Sequence, residues 1–394
     1  MLTKRITRIT PSATCELEGT VAELKAAGVH IVGLNAGEPD FDTPVTVQMA
    51  CLDAIRAGRT RYVSLAGIME LRKAICEKLL HDNGVSYTPG EIVVSTGAKQ
   101  ALYNVVETLV DPGDEVIVPT PCWVSYEEMI KLADATPVLV PTKADYHLDV
   151  AAIRAAVTEK TKAIMINTPN NPTGAVYSRE ELLALGELAV EKDFYVITDE
   201  VYEKLVYDGH AHVCIASLGE KIKEHCVIIN GFSKAYAMTG WRIGYCAAPA
   251  AIAKGVTDLQ GHTTSNSTTF VQWAAVEALQ GQQDSVAYMR EKFNERRIYL
   301  FNRLRNMKGI TCANAEGAFY LLPDVSAYYG KRCGEQAINN SVDFCAYLLD
   351  EAHLAVVPGA AFEAPNTIRI AYSNSLENIR EGMDHMEAAL AKLR

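Results

Sequence analysis

The chain has 394 residues, of which 49% are hydrophobic and 22% are charged, the balance of an ordinary globular protein with a sizeable core. With 37 basic and 48 acidic side chains, its formal net charge is −11. An acidic chain without a block of lysine and arginine argues against non-specific binding to nucleic acid or to an anionic membrane surface. No apolar run of about 18 residues is present, so the sequence predicts no membrane span.

The ten cysteines are scattered along the chain and form no Cys-X-X-Cys pair. This pattern favours reduced thiols over a disulfide framework or a zinc site. The first residues, Met1 to Arg5, lack the apolar core of a signal peptide. Together these features predict a cytoplasmic protein without a bound metal.

Short apolar runs alternate with amphipathic stretches from about residue 90 to residue 250. The runs predicted as strands are Glu115–Pro119, Pro137–Val140, Lys162–Asn167, Phe194–Thr198, Cys226–Asn230 and Ile243–Ala247. Among the stretches between them, Ser178–Glu191 is predicted as a helix, and Ser178 with Glu181 forms a capping box at its start. Strands without strict alternation, separated by helices, predict a mostly parallel sheet covered by helices on both faces.

The C-terminal part has a different pattern. Its predicted elements are a long charged helix over Asp284–Asn306, a short apolar run at Ala318–Leu322, a helix near Val342–Glu351, a strand at Thr367–Ala371 and a helix from Leu376. We therefore predict a large α/β domain over residues 45–285, and a smaller α+β domain that combines residues 1–44 with residues 286–394.

Two charged residues lie at or shortly after the ends of predicted buried strands. Lys234 lies in a loop of small residues, with Arg242 eight residues later. Lysine is rarely buried unless it is paired or reactive, so this position suggests an amine with a lowered pKa that acts as nucleophile and base. Asp199 stands at the carboxyl end of another strand, where ligands bind in α/β sheets. A solvated loop lysine and a helix-capping aspartate are the alternative interpretations.

Three further motifs could bind a ligand. The turn Asn167–Gly174 follows a buried strand, and its two prolines hold the asparagines in place. Gly97 precedes an apolar helix whose free N–H groups could bind a phosphate. Arg369 lies inside an apolar strand, and its guanidinium group matches the geometry of a carboxylate. The respective alternatives are an ordinary Asn-Pro turn, a common helix start, and, for Arg369, an internal ion pair or an edge-strand side chain that extends to solvent.

Together and in this order, these motifs resemble the fold type I class I aminotransferases, which depend on pyridoxal 5′-phosphate (PLP). The segment Gly231–Gly244 satisfies the attachment-site pattern of that family at every constrained position. The resemblance runs along nearly the whole chain, includes Asn35–Phe41 and Pro121–Tyr126, and points to the bacterial aspartate aminotransferase subgroup. It implies the α/β fold of the PLP-dependent transferases, with a mostly parallel central sheet and a smaller α+β domain.

The resemblance also implies a role for each residue around the cofactor ring. Lys234 would form the internal aldimine with PLP and shuttle the proton from the substrate Cα. Asp199 would keep the pyridine nitrogen protonated, while Tyr202 and Asn171 would bind the phenolic oxygen. Trp123 would stack on the ring.

A second set of implied contacts surrounds the phosphate. Its members are Arg242, the backbone of Gly97 and Ala98, and Tyr62 from the neighbouring subunit of a homodimer with shared active sites. The family usually carries a small hydroxyl residue three positions before the lysine, where this chain has Gly231. Because Gly231 has no hydroxyl group, the nearest one, that of Ser233, is the candidate for that contact in this chain.

The substrate contacts follow from the same resemblance. Arg369 would bind the α-carboxylate, with Gly37, Asn171 and Trp123 nearby. Lys99 is the candidate for the distal carboxylate of a dicarboxylic substrate, although an ammonium group binds carboxylates less selectively than arginine does. A solvated lysine in the first turn of a helix is the alternative for Lys99.

The predicted function is transamination of an L-amino acid, with aspartate preferred, by 2-oxoglutarate in ping-pong half-reactions. A preference for aromatic substrates, alanine or methionine stays open, and so does a PLP-dependent C–S β-lyase. Members of the subgroup that use prephenate tend to carry a basic residue where this chain has Thr10. This departure makes prephenate a less expected substrate, and whether it is used stays open.

Overall fold

Residues 2–394 are described by the computed structural model of the chain. Within them the helices α1 to α13 are, in order, Ala13–Ala26, Val45–Arg56, Met69–Asn83, Ala98–Leu109, Ser125–Leu132, Val150–Ala156, Arg179–Lys192, Glu220–Glu224, Ala250–Gly261, Thr269–Gln280, Asp284–Asn306, Ser341–Ala352 and Leu376–Leu390. None of the helices in the described part of the chain has the length and apolar character that a membrane crossing requires.

The strands β1 to β14 of the same residues are, in order, Val32–Gly33, Ile92–Ser95, Glu115–Thr120, Thr136–Pro141, Thr161–Asn167, Tyr195–Asp199, Cys226–Gly231, Gly244–Ala247, Tyr320–Leu321, Arg332–Cys333, Gln336–Ala337, Leu354–Ala355, Val357–Pro358 and Ile368–Ala371. Each of the six strands predicted between residues 90 and 250 is present, with ends that differ by at most one residue.

Seven strands form the central sheet in the order β2-β8-β7-β6-β5-β3-β4. All of them run parallel except β8, which is antiparallel to both of its neighbours. Helices supply apolar side chains to both faces, where two separate clusters of buried residues pack against the strands. The mostly parallel, helix-covered sheet predicted from the sequence is thus confirmed.

Local capping fixes the start of α7 as the sequence predicts. The Ser178 side chain accepts a hydrogen bond from the backbone N–H of Glu181 at 3.2 Å, and the Glu181 carboxylate accepts from the backbone N–H of Ser178 at 2.8 Å. The two bonds satisfy donors that a helix start would otherwise leave free. The predicted long helix over Asp284–Asn306 also agrees with α11 at both ends.

A further apolar core, separate from the two clusters that cover the central sheet, contains residues from both ends of the chain. Most of its residues lie between 289 and 393, and Val32 and Leu34 from the N-terminal segment pack among them. Strand β1 pairs in parallel with β12, and strands β13, β14 and β9 form a small antiparallel sheet. The division into domains at residues 45 and 285 stays a prediction.

The parallel strands place polar residues at one edge of the central sheet. Asn167 is the last residue of β5, Asp199 ends β6 and Gly231 ends β7. Because these carboxyl ends point the same way, the loops that follow them lie side by side. The small sheet faces the same edge and brings Arg369, on β14, to it.

Candidate active site

A cavity of about 360 Å³ lies at this edge of the central sheet. Of the residues predicted for the site, those that line it are Gly37, Ala98, Lys99, Trp123, Asn171, Asp199, Tyr202, Ser233, Lys234, Arg242 and Arg369. Gly97 lies just behind the wall, against the Arg242 side chain. The loops after three parallel strands and one strand of the small sheet thus bring most of the predicted residues together.

The amine of Lys234 points into the cavity. Its Nζ donates a hydrogen bond to the backbone carbonyl of Gly37 at 2.5 Å. Burial lowers the pKa of Lys234, and the nearby Arg369 charge lowers it further, to about 8. A drop of this size from 10.5 raises the neutral fraction of the amine at pH 7 by roughly two orders of magnitude. A solvated loop lysine does not describe this environment.

Asp199 is a buried carboxylate, only 5% exposed, at the end of β6. The hydroxyl group of Tyr126 donates to its Oδ2 at 2.8 Å, and the backbone N–H of Val201 donates to its Oδ1 at 3.3 Å. Burial raises the pKa of Asp199 to about 6, although both hydrogen bonds oppose the shift. The chain forms a turn rather than a helix after Asp199, so the helix-capping interpretation is wrong.

Arg369 is a buried cation without a carboxylate partner among the described residues. One Nη donates to the Asn171 side chain at 3.1 Å and the other donates to the backbone carbonyl of Asn35 at 2.8 Å. The rings of Tyr320 and Phe362 lie 4.5 and 4.8 Å from its guanidinium carbon. Its Nε is buried and has no hydrogen-bond partner within residues 2–394. Such a fixed, incompletely satisfied guanidinium group is suited to bind a carboxylate.

Small residues bring a helix N-terminus and a guanidinium group together on one wall. Gly97, with φ +87°, caps α4, whose first turn leaves backbone N–H groups without intrahelical acceptors. A Cβ at Gly97 would lie 2.7 Å from the Arg242 guanidinium, and a Cβ at Gly244 would overlap the backbone nitrogen of Ala98. A positive helix end beside an arginine is a cradle for an anion such as phosphate. Ser233 lines the cavity near this wall.

Trp123 and Lys99 lie together on another side of the cavity. The Lys99 amine sits 4.8 Å from the centre of the Trp123 ring, and the Trp123 ring meets Tyr126 edge-on at 5.4 Å. Partial burial lowers the pKa of Lys99, although the residue as a whole remains exposed. An ammonium group in this place can contact a ligand without leaving solvent entirely.

Tyr62 does not line this cavity. It is 90% exposed and lies near a separate surface depression beside Thr269 and Phe270. Within one chain the structure therefore does not bring Tyr62 to the other predicted residues. A role for it at a phosphate would require a second copy of the chain.

Several residues that shape the site have no assigned role from the sequence. Tyr126 holds Asp199, and the hydroxyl group of Tyr320 lies 2.9 Å from that of Tyr202. Asn167 links two loops, since it donates to the Asp199 carbonyl at 2.8 Å and accepts from the Asn171 backbone at 2.7 Å. Further lining residues from the N-terminal segment and its neighbours are Ser12, Thr14, Glu18 and Glu38. Of these residues, Asn167, Tyr126 and Glu38 lie within motifs that the sequence analysis identifies.

A buried amine with a lowered pKa, a carboxylate at a strand end and two anion-binding arrangements define an enzyme site rather than a binding surface. Residues 29–386 match the model of the family described as aminotransferase class I and II. The chain belongs to this family of enzymes.

Relatives of similar length carry related names. The aspartate aminotransferase of Bacillus sp. strain YM-2 is 43% identical over 98% of both chains. The probable aspartate/prephenate aminotransferase of Aquifex aeolicus is 44% identical over 100% of this chain and 99% of its own. Among solved structures, the aspartate aminotransferase from Thermus thermophilus with maleate superposes with a TM-score of 0.94 at 41% identity, and covers 99% of each chain.

The hydrogen bond from Tyr126 to Asp199 generates a prediction about pH. The Tyr126→Phe variant loses a bond that favours the ionised carboxylate, so the pKa of Asp199 rises further above about 6. A hydrogen bond to a charged group contributes about 1.5–3 kcal/mol, or roughly one to two pKa units. We expect the acid limb of the pH profile of kcat/KM for transamination to move to higher pH in the variant, with activity recovered at alkaline pH.

The matched control is Tyr87→Phe, which removes a buried hydroxyl group that has no hydrogen-bond partner in the described part of the chain. Its pH profile should coincide with that of the wild type. An unchanged acid limb in Tyr126→Phe would show that the ionisation of Asp199 does not depend on this tyrosine.

Proposed function

We propose that the chain catalyses transamination between L-aspartate and 2-oxoglutarate with PLP attached at Lys234. The single observation that carries the proposal is the arrangement of three charged groups around one cavity. These are the Lys234 amine, the Asp199 carboxylate and the Arg369 guanidinium group, whose Nε is unpartnered within residues 2–394. Each has the chemistry that one end of an amino acid or of the cofactor requires.

The residues present fit a phosphorylated pyridine cofactor. The anion cradle at Gly97, Ala98 and Arg242 would hold the phosphate through backbone N–H groups and a guanidinium charge. Ser233 and, from a second chain, Tyr62 would complete it. The opposite end of the cavity offers a buried carboxylate, Asp199, for a protonated ring nitrogen. Trp123 offers an aromatic face, and Tyr202 and Asn171 offer hydrogen-bonding groups for a ring oxygen.

When bound, the cofactor supplies an electron-accepting ring that makes the Cα–H bond of an attached amino acid acidic. The protein residues then control where protons and charges go. Lys234, whose pKa is lowered to about 8, accepts the proton from the substrate Cα through Nζ. Asp199 keeps a negative charge beside the ring nitrogen, and Tyr126 holds that carboxylate in place.

Two cationic groups are available for a dicarboxylic substrate. Arg369 would bind the α-carboxylate, with Gly37 and Asn171 beside it, because its buried Nε and its fixed guanidinium plane favour paired hydrogen bonds. Lys99 would bind the side-chain carboxylate from the Trp123 side of the cavity. The names of relatives at 43% and 44% identity support a dicarboxylic substrate. So does the Thermus thermophilus structure, which was solved with the dicarboxylate maleate.

A homodimer with shared sites is the assembly that we propose. Helix α2 exposes Val45, Met49 and Leu52 on one stripe, and the exposed Tyr62 and Leu65 follow in the next loop. Apolar side chains at this spacing on one helix face favour burial against another surface. A second copy of the chain would cover the stripe and could bring Tyr62 to a neighbouring phosphate cradle.

The first test concerns Lys234. The wild type incubated with PLP and reduced with borohydride should carry the cofactor mass on the tryptic peptide that contains this residue. Lys234→Ala should lose both this adduct and essentially all transamination, because the other lysine that lines the cavity, Lys99, lies on the Trp123 side. Lys143→Ala, which removes an exposed lysine away from the cavity, should keep both.

Substrate and reaction type are measured with the same proteins. Aspartate with 2-oxoglutarate should yield oxaloacetate and glutamate. Pyruvate and ammonia released from a cysteine thioether without any oxo acid acceptor would instead indicate a β-lyase. An active Lys234→Ala variant would remove the basis of the proposal.

The second test separates the two carboxylate sites. Lys99→Ala should weaken aspartate and 2-oxoglutarate by about 1.5–3 kcal/mol, the range for a hydrogen bond to a charged group, and leave alanine nearly unaffected. The measurement is the ratio of kcat/KM for aspartate to that for alanine, with Lys143→Ala as the control. If the ratio does not fall, Lys99 is a solvated helix residue.

The third test asks whether two chains share a site. In a heterodimer of Lys234→Ala and Tyr62→Ala subunits, one of the two sites combines an intact Lys234 with an intact Tyr62. Refolding of the inactive Lys234→Ala variant together with an equal amount of the Tyr62→Ala variant should therefore give heterodimers that contribute about a quarter of wild-type activity. Activity no higher than the mean of the two parent proteins would mean that Tyr62 does not act across the interface.

A further inference from the structure

The turn that carries Asp199 and Tyr202 has one face toward the cavity and a second face that is buried within the protein. Asp199, Val201 and Tyr202 line the cavity, whereas Glu200 and Glu203 point away from it. The side chains of both glutamates are buried, and that of Glu200 is fully so. Burial of a carboxylate costs free energy unless the group is paired and hydrogen-bonded. The partners of these two glutamates therefore indicate their role.

Glu203 is satisfied by groups from two other elements. It forms an ion pair with Lys78 of α3, and the two side chains are only 6% and 7% exposed. Its Oε1 accepts from Asn230 of β7 at 2.8 Å, and its Oε2 accepts from Asn83 of α3 at 2.9 Å. Burial alone would raise the pKa of Glu203, but Lys78 and the other donors lower it to about 2. The carboxylate is therefore ionised and held from three sides.

Lys78 itself belongs to the same network. Its Nζ also donates to the Asn83 side chain at 2.7 Å. The ligand atoms of Glu200, Glu203 and His212 lie within 4.8 Å of one another, a spacing that could suit a metal ion. The ammonium group of Lys78 already provides the positive charge at this place, so the cluster is better described as an ion-pair network than as a metal site.

Glu200 is fixed by a different pair of groups. His212 contacts its Oε2 at 3.0 Å, and the Thr198 hydroxyl group donates to its Oε1 at 3.2 Å. The backbone N–H of Glu200 donates to the Ile229 carbonyl at 2.9 Å. The buried face of the turn is thus held by contacts to α3, to β7 and to His212, while its other face lines the cavity.

We propose that the ion pair of Lys78 and Glu203 positions the active-site turn, and that Glu203 is a positioning residue for Asp199 and Tyr202. This inference rests on the proposed function, because it assigns a part in that reaction to residues that do not touch the substrate. The ion pair also acts on the segment that carries Lys234. The Asn230 side chain donates to Glu203, and Lys234 lies four residues further along the chain. Loss of the pair frees the turn, and misplacement of a catalytic group by about 1 Å can cost about 10²-fold in rate.

The central variant is Glu203→Gln, which keeps the size of the side chain and removes its charge. We expect kcat for transamination to fall by about tenfold or more, with KM for aspartate changed by less than about threefold. The dissociation constant of PLP should rise, and amide hydrogen exchange in the peptide spanning residues 199–205 should accelerate. A role in stability alone would lower the melting temperature without these changes.

Two further proteins separate positioning from folding. Asp208→Asn removes a carboxylate from another buried cation, Arg297, and Asp208 has no hydrogen bond or ion pair to Lys78 or Glu203. It should lower stability but leave kcat and the exchange of residues 199–205 as in the wild type. The double variant Lys78→Met/Glu203→Met replaces the pair with apolar groups, a change that is often neutral for stability. It should fold, yet keep the reduced kcat and the faster exchange.

The proposal is overturned if the double variant has wild-type kcat and exchange, or if Asp208→Asn shows the same loss as Glu203→Gln. Should Glu203→Gln fail to fold, the double variant decides alone. A wild type without transamination would contradict the proposed function, but the exchange of residues 199–205 would still decide whether the ion pair holds the turn.

Discussion

The site depends on charged groups that the fold withdraws from bulk water. Lys234, Asp199 and Arg369 each lose hydration, and the protein compensates each loss only in part. The amine has one carbonyl acceptor, the carboxylate has a hydroxyl and a backbone donor, and the guanidinium group keeps an Nε that no described residue satisfies. This incomplete compensation shifts the pKa values of the amine and the carboxylate toward neutrality, where both can change protonation at little cost.

Topology makes that burial possible. All strands of the central sheet except β8 have their carboxyl ends at the same edge. The small sheet covers this edge and contributes Arg369 to it. The loops that leave the strands begin at fixed positions, because the strands below them are packed on both faces. Charged groups that could not hold their positions on a surface are therefore fixed to within hydrogen-bonding distance of their partners.

Much of this could be predicted from the sequence. Strand ends, the capping box of α7 and the full extent of α11 follow from local apolar patterns and capping residues. The residues at strand ends, such as Asp199, and those within the lysine motif can be found because a parallel sheet gathers strand ends. The helix-capping alternative for Asp199 can be rejected only when the conformation of the following turn is known.

What the sequence does not reveal depends on contacts between distant segments. Tyr320 meets Tyr202 from a two-residue strand, too short to give a periodic signal. Lys78 lies in α3 among charged residues and resembles a solvated position, yet it is buried against Glu203 from 125 residues further on. Long-range ion pairs of this kind have no local pattern, because neither partner constrains its own neighbours along the chain.

The pairing of the two chain ends has a consequence for synthesis on the ribosome. Strand β1 lies beside β12, and the Leu34 carbonyl accepts a hydrogen bond from the Ala371 backbone at 2.8 Å. The central sheet is complete once β8 has emerged, but the wall that carries Arg369 forms only when almost the whole chain has been translated. During this interval the central sheet of the nascent chain is formed but its carboxyl edge is still uncovered. Strand β1 also remains unpaired, because its partner β12 lies more than 300 residues later in the chain.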